Sequence, residues 1–329
     1  MSLSKNHHYI PQFLQNRFTD KDKRFYVFNK TERKFRRNID TDDRFNSEKI
    51  FSVKHLNTIR FSNQHRTDLI EQYLTNNSDT PCSKVLENVL DNFQDFVNDE
   101  KKCYEMGKSE NEHFFDKEYY QKFYEKKMGI SYFIAQLFCR NPFNEKLIKE
   151  YLNNTPPKFD MTIKIPKNKE IAETLTQYFK LDVYKDFPDF IKVDIIQKGM
   201  IEIFDLKNRN NTEWPILYGE KDNDLNILCD NPILYRDFSK LQNFSELIMP
   251  ISKDKTLIYG KRKIKEEAKR GGINLMLNLA VFANANENII GSNRDIMEKI
   301  SKLYFSLVDE KGEELANTYF LEQLFECLE

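Results

Sequence analysis

Two histidines and a proline at the start of the chain constrain its fold more than any later stretch. The run is Asn6-His7-His8-Tyr9-Ile10-Pro11-Gln12-Phe13-Leu14. Pro11 fixes its own φ and holds Ile10 extended, so the imidazoles enter on a stiff segment before any regular element needs them. Tyr9, Ile10, Phe13, Leu14 and Phe18 follow at once and require burial. The alternative is a mobile terminus or tag remnant, but such a leader has no use for five large apolar side chains. The N-terminus is therefore expected to thread into the core and carry His7 and His8 with it. A tandem pair offers up to two neutral nitrogens to a metal, or an acid and a base to a reacting group.

Glycine and proline are scarce, at 9 and 10 in 329 residues, which disfavours a loop-rich all-β chain and favours helices. Phe25 to Asn29 is aromatic and strand-like. Lys30-Thr31-Glu32-Arg33-Lys34 makes a polar turn, and Phe35 to Ile39 returns as a second strand, an N-terminal β-hairpin. Its cations, Arg24, Lys30, Arg33, Lys34, Arg36 and Arg37, suit phosphate contacts, although charge on an edge strand also prevents aggregation.

From Gln64 to Phe96 the apolar spacing is helical, with an interruption at Pro81, and Glu71 sits beside the stripe. Asp116 to Tyr151 reads as one long helix or two joined near Gly129. Gln136 and Arg140 share one of its faces. An Arg on a buried face needs an anion, a carboxylate or a bound phosphate. Asn153 to Pro157 ends that helical region, and Glu170 to Tyr178 is a further helix. Asp194 to Leu206 is undecided between helix and strand. Short runs at 214–218, 226–229, 246–249 and 256–259 read as an antiparallel sheet. Ile264 to Asn286 and Ser292 to Leu307 return to helix, and the acidic tail forms a last one. The expected class is α+β: mostly helical, a small antiparallel sheet, and the hairpin. The expected organisation is one domain over 1–329. A sub-division would place the hairpin and helical part in 1–157 and the sheet and C-terminal helices in 158–329.

Several of these stretches together resemble the domain of unknown function 4238 family, whose members open on a His-His-Tyr-Val-Pro-Gln-like motif. The resemblance rests on His7 to Leu14 with Arg17-Phe18 and the strand from Phe25 to Lys30. Ile70-Glu71, Phe133 to Gln136 with Arg140-Asn141-Pro142, Cys229-Asp230-Asn231-Pro232, and Met249 to Ser252 support it. It covers roughly residues 6 to 300. The pattern has Thr-Ser where this chain has Leu228-Cys229, so a hydroxyl role there does not carry over. The family name implies no activity.

Net charge is −1, so no global field attracts nucleic acid, but the charge is unevenly placed. Residues 1–70 hold 15 Lys and Arg against 8 Asp and Glu, and residues 253–270 hold 8 against 3. The tail from Asp309 holds 7 acids against one Lys. These blocks would form a basic and an acidic face, or simply solvated surface. Five widely spaced cysteines without a Cys-x-x-Cys read as reduced thiols. With no signal peptide and no membrane-length apolar run, the expected location is the cytoplasm.

Asp230-Asn231-Pro232 is the second constellation. It is either a polar turn closing a strand or a strand end that delivers a carboxylate and an amide to a pocket. In the functional reading His7, His8, Asp230 and Asn231 are catalytic. His7, His8, Asp230 and Glu71 hold a divalent metal (Mg, Mn or Zn), and Gln12, Gln136, Arg140, Arg36 and Arg37 contact substrate. That describes a metal-dependent phosphodiester hydrolase, a nuclease-like effector acting on nucleic acid through the basic N-terminal part. The heavy use of Lys, Asn and Ile fits a bacterial or mobile-element source, hence a toxin or phage-defence setting. The competing expectation is a non-catalytic binding or assembly module. There the His-Pro and Asp-Asn-Pro motifs are mutual locks, and a protein partner or homo-oligomer remains open.

Two other nuclease patterns fit less well. Asn57 and His65 with His7-His8 echo His-Asn-His nucleases, but 48 residues part His8 from Asn57. Glu202 to Lys207 resembles an Asp/Glu-x-Lys core with only Asp194 as an upstream acid. No Walker loop, Gly-x-Gly-x-x-Gly, Gly-x-Ser-x-Gly or His-Glu-x-x-His occurs, so no nucleotide cofactor is implied.

Overall fold

The computed structural model describes residues 6–54, 56, 59–60, 66–67, 69–91, 117–155, 173, 177, 203–204, 216–219, 226–260, 264–265, 268 and 272–328. It is α+β and mostly helical, with small antiparallel sheets. Apart from residues 173, 177, 203 and 204, the expected helix at 170–178, the segment from Asp194 to Leu206 and the Asp/Glu-x-Lys string lie outside the described residues, as do Asn57 and His65.

The N-terminal segment threads inward as expected. Strand β1 (Asn6–His8) pairs antiparallel with β5 (Ser52–Lys54), His7 opposite Val53. Helix α1 (Gln12–Gln15) starts directly after Pro11. Ile10, Leu14 and Phe18 are fully buried and Tyr9 nearly so. The buried Gln15 amide donates to the Ile10 and Ile50 carbonyls, satisfying chain that no helix or strand satisfies.

The hairpin forms from β2 (Phe25–Asn29) and β3 (Lys34–Phe35), Phe28 opposite Phe35. Asn29 Oδ1 accepts from the Glu32 amide at 2.7 Å and Arg33 takes φ 53, so the turn closes through an Asn side chain and a left-handed residue. The return strand is shorter than expected. The chain leaves β3 into a short 3₁₀ turn at Ile39–Thr41, and β4 (Arg44–Phe45) pairs with the start of β2.

On its other side β2 pairs with β12 (Asn288–Gly291), which pairs with β9 (Leu228–Cys229). This sheet joins strands from both sides of residue 157. Sequence periodicity missed β12 because Ile289 and Ile290 are its only apolar residues. A second sheet has the order β10 (Leu247–Ser252), β11 (Lys255–Tyr259), β8 (Ile216–Gly219). It meets the N-terminal segment where the Lys253 amide donates to the Arg17 carbonyl at 3.0 Å.

Strands β6 (Ile59–Arg60) and β7 (Arg66–Thr67) form a small ladder before helix α2 (Leu69–Leu74). Pro81 does not interrupt the helical run. A π segment, Thr75–Asp79, joins α2 to α3 (Thr80–Asp91), leaving Pro81 in the first turn of α3. The Thr80 amide donates to the Thr75 carbonyl five residues back, and this widened turn directly before Pro81 accommodates the proline without ending the helical run.

Helix α4 (Lys117–Arg140) runs through Gly129 instead of breaking. Val85 of α3 packs there so closely that a Cβ on Gly129 would sit 3.0 Å from it. The break comes at Pro142, after which α5 (Glu145–Asn154) begins. Phe133, Ile134, Leu137 and Phe138 of α4 centre one apolar cluster with the N-terminal segment and β10–β11. A short helix, α6 (Phe238–Gln242), precedes β10. Helices α7 (Ile273–Asn284), α8 (Arg294–Lys311) and α9 (Glu313–Glu326) pack as a second cluster against β12. On α7, Ile273, Leu279 and Phe282 are buried, whereas Leu275 is exposed.

The charge blocks meet each other. Arg33 pairs with Asp309 at 2.8 Å, and Lys30, which is buried, pairs with Glu313 at 3.1 Å. Lys30 Nζ also donates to the Ala283 and Ala285 carbonyls. Hairpin cations are thus partly spent on the acidic C-terminal helices, as Arg36 is on Glu287 at 3.3 Å.

Candidate functional site

His8 sits on β1 with its ring turned to the loop before β5. Its Nε2 lies 2.9 Å from the Ser47 carbonyl and 3.1 Å from that of Glu48. Two carbonyls accept only, so Nε2 carries a proton and donates to them. Gln12 donates to the same Ser47 carbonyl at 3.2 Å. Burial lowers the His8 pKa below the ordinary histidine value, against the pull of those carbonyls and of nearby Glu71.

The His7 ring is fully buried. Its Nδ1 is 3.9 Å from Glu71 Oε2 in the first turn of α2. Arg140, at the end of α4, clamps this region. Nη1 donates to Asp79 Oδ1 at 2.6 Å, and Nη2 donates to the His8 carbonyl. Asp79 closes the π segment, an irregularity frequent at functional sites. The anion that Arg140 requires is therefore a carboxylate. Gln136, one turn earlier, is buried beside it.

The next residue carries the connection onward. Asn141 Oδ1 accepts from the Phe143 amide and caps the turn at Pro142, while its Nδ2 donates to the Asp230 carbonyl at 2.7 Å. Asp230 follows β9 and is fully buried. Its Oδ1 accepts from the Asn286 amide at 2.8 Å. Its Oδ2 accepts from Glu287 at 2.7 Å and Asn288 at 2.9 Å. Those amides lie in the tight connection between α7 and β12 and at the first residue of β12. Burial raises the Asp230 carboxyl above the ordinary range, and the three N–H donors oppose that shift. The Asn231 carbonyl accepts from Asn284 Nδ2 at 2.6 Å and from the Cys229 thiol at 3.1 Å. Cys229 thus makes a weak donor contact within the turn.

The predicted residues fall into three groups. His7 meets Glu71, and Arg140 meets the His8 backbone. Asp230 and Asn231 form a separate turn tied to the first group through Asn141. Among the described residues the imidazoles meet the Ser47 and Glu48 carbonyls and Glu71, whereas Asp230 meets the Asn286, Glu287 and Asn288 amides. The N-terminal motif reaches Asp230 through Tyr9, whose phenol is pushed up in pKa by burial and by the charges of Asp230 and Glu287. Arg36 and Arg37 stand apart on the hairpin side. Among the described residues no group of three or more His, Cys, Asp and Glu side chains is placed to hold a metal ion. Sequence reasoning missed Asp79, Asn284 and the bridging role of Asn141. Only the last had a local signal, an Asn directly before Pro at a helix end.

Fold and site together define an α+β protein in which three polar motifs, far apart in sequence, are tied into one hydrogen-bonded chain. The chain belongs to the family described as Protein of unknown function (DUF4238), whose profile matches residues 6–295. No curated protein and no solved structure matches it. Among the described residues no helix is long and apolar enough to cross a membrane.

Proposed function

We propose that this chain is a non-catalytic binding module in which the His-His-Tyr, Arg-Asn-Pro and Asp-Asn-Pro motifs act as structural locks. The enclosure of Asp230 by backbone amides carries the reading. Its two oxygens accept three backbone amides and see no solvent. A metal ligand or a general base needs a lone pair turned toward an ion or a substrate. His8 Nε2 is likewise committed to backbone carbonyls. The test is metal content by mass spectrometry, together with thermal unfolding, for wild type and His8→Ala. A lowered melting temperature with unchanged metal supports the locks. Stoichiometric metal that is lost in a variant of unchanged melting temperature overturns them.

One observation favours a second reading, a phosphodiester hydrolase. His7 and Glu71 approach within 3.9 Å beside Arg140, and they would be the members left to hold Mg, Mn or Zn. That reading requires hydrolysis of an unspecific diester such as bis-p-nitrophenyl phosphate with added metal, lost in Glu71→Gln.

A further inference from the structure

A cleft of about 650 Å³ lies between the β2–β3 hairpin, the loop that follows it, and helix α8, on a side of the molecule that none of the three locks uses. Hairpin and loop contribute Arg33, Lys34 and Arg37. Helix α8 contributes Arg294 and Lys302. Two acids, Asp43 and Glu298, face the same space, so its lining is cationic. Phe28, Phe35 and Phe305 supply the aromatic part. Ile39 stands at the rim, 94% exposed.

The cations and rings are interleaved. The Arg33 guanidinium lies 4.4 Å over the Phe305 ring and Arg294 lies 4.7 Å over Phe35. Both arginines keep about half of their side chains exposed, at 49% and 42%. A guanidinium held flat on a ring presents its other face to solvent, where an unpaired base can stack. The ion pairs of these cations, Arg294 with Asp43 across the cleft, Lys302 with Glu298 one turn earlier on α8, and Arg33 with Asp309, are partly exposed. Such pairs are worth about 0–1 kcal/mol, so a phosphate can take over their cations at little cost. Arg37 is exposed and makes no ion pair or hydrogen bond among the described residues; the one influence it exerts there is at long range on Asp43, across the same cleft. The volume suits one ligand of nucleotide size.

We infer that this cleft binds a single-stranded nucleic acid, seating one unpaired base on the arginine–phenylalanine stacks and its phosphates on Arg37 and Lys302. A duplex hides its base faces and offers only phosphates, so the stacks select against it. The inference rests on the binding-module reading and names the ligand class for it.

The experiment is fluorescence anisotropy on the full chain. The probes are labelled oligo(U) and oligo(dT) about ten nucleotides long, within the usual range of single-strand sites, and a duplex of the same length. Single strands bind, and their affinity falls as salt rises. Arg37→Ala and Lys302→Ala each weaken binding by about fivefold and lower the log–log salt slope by about 0.7, the value for one phosphate contact on a single strand. Both side chains are exposed, and each variant's melting temperature checks its fold. The duplex binds about tenfold more weakly than the single strand. Absence of single-strand binding overturns the inference, as do affinities unchanged in both variants or a duplex bound equally well. Running the probe on a denaturing gel separates the two readings. A probe bound at the cleft but cut in added metal refutes the non-catalytic module and leaves the cleft standing. An unbound probe with intact locks does the reverse.

Discussion

Replacing Asp230 by Asn changes one atom and removes one charge from a sealed turn. The amide can turn its oxygen toward the Glu287 and Asn288 amides and keep both contacts. Its NH₂ then faces the Asn286 N–H, donor against donor. One hydrogen bond to a charged acceptor is lost and two are reduced to neutral strength. With charged hydrogen bonds contributing about 1.5–3 kcal/mol and neutral ones about 1, the net loss is about 3 kcal/mol. Asp230→Ala strands all three amides and should cost about 5 kcal/mol. At about 2.1 cal/mol/K of unfolding entropy per residue, a chain of 329 residues shifts by roughly 1.5 °C per kcal/mol, so Asp230→Asn should lower the melting temperature by about 4–5 °C. Differential scanning calorimetry reads this directly. Combining Asp230→Asn with Asn141→Ala, which frees the carbonyl of the same turn, should cost less than the two singles added, because both loosen one element. A melting temperature within about 1 °C of wild type for Asp230→Asn would refute the lock.

His8 supplies a pH test. Burial holds its folded pKa below the unfolded value of about 6.5, so the stability this group confers is complete above that pH and is lost as pH falls below it. His8→Gln keeps a donor for the Ser47 carbonyl and removes the titration, so its melting temperature should fall less than that of wild type between pH 7.5 and 5.5; parallel curves would contradict this. Arg140→Lys substitutes a single ammonium for the fork that reaches both Asp79 and the His8 carbonyl. It should cost about 2 kcal/mol and speed proteolytic cleavage near the N-terminus, whereas an unchanged cleavage rate would show that the clamp does not secure the segment.

What the sequence determined by itself was local. The Asn29–Arg33 turn and its aromatic flanks specify a hairpin, because an Asn side chain and a left-handed residue close it without help from elsewhere. The apolar period from Phe133 to Phe138 specifies a buried helix, whereas its end at Pro142, inside a stretch whose helical pattern runs on to Tyr151, was visible only in the structure. Pro11 and the apolar residues around it specify a buried N-terminus. Asp230 and Asn231 could be recognised as special, but not for what. The partners of Asp230 are amides 56 to 58 residues further on, and they converge on one carboxylate because α7 turns tightly into β12. The same holds for the ion pairs between the hairpin and the acidic helices, which exist because β12 pairs with β2 and brings the chain's end over its beginning. Propensity and periodicity report the backbone state of a few neighbouring residues. Which buried donor meets which acceptor depends on register between distant segments, and that was decided by the tertiary packing alone.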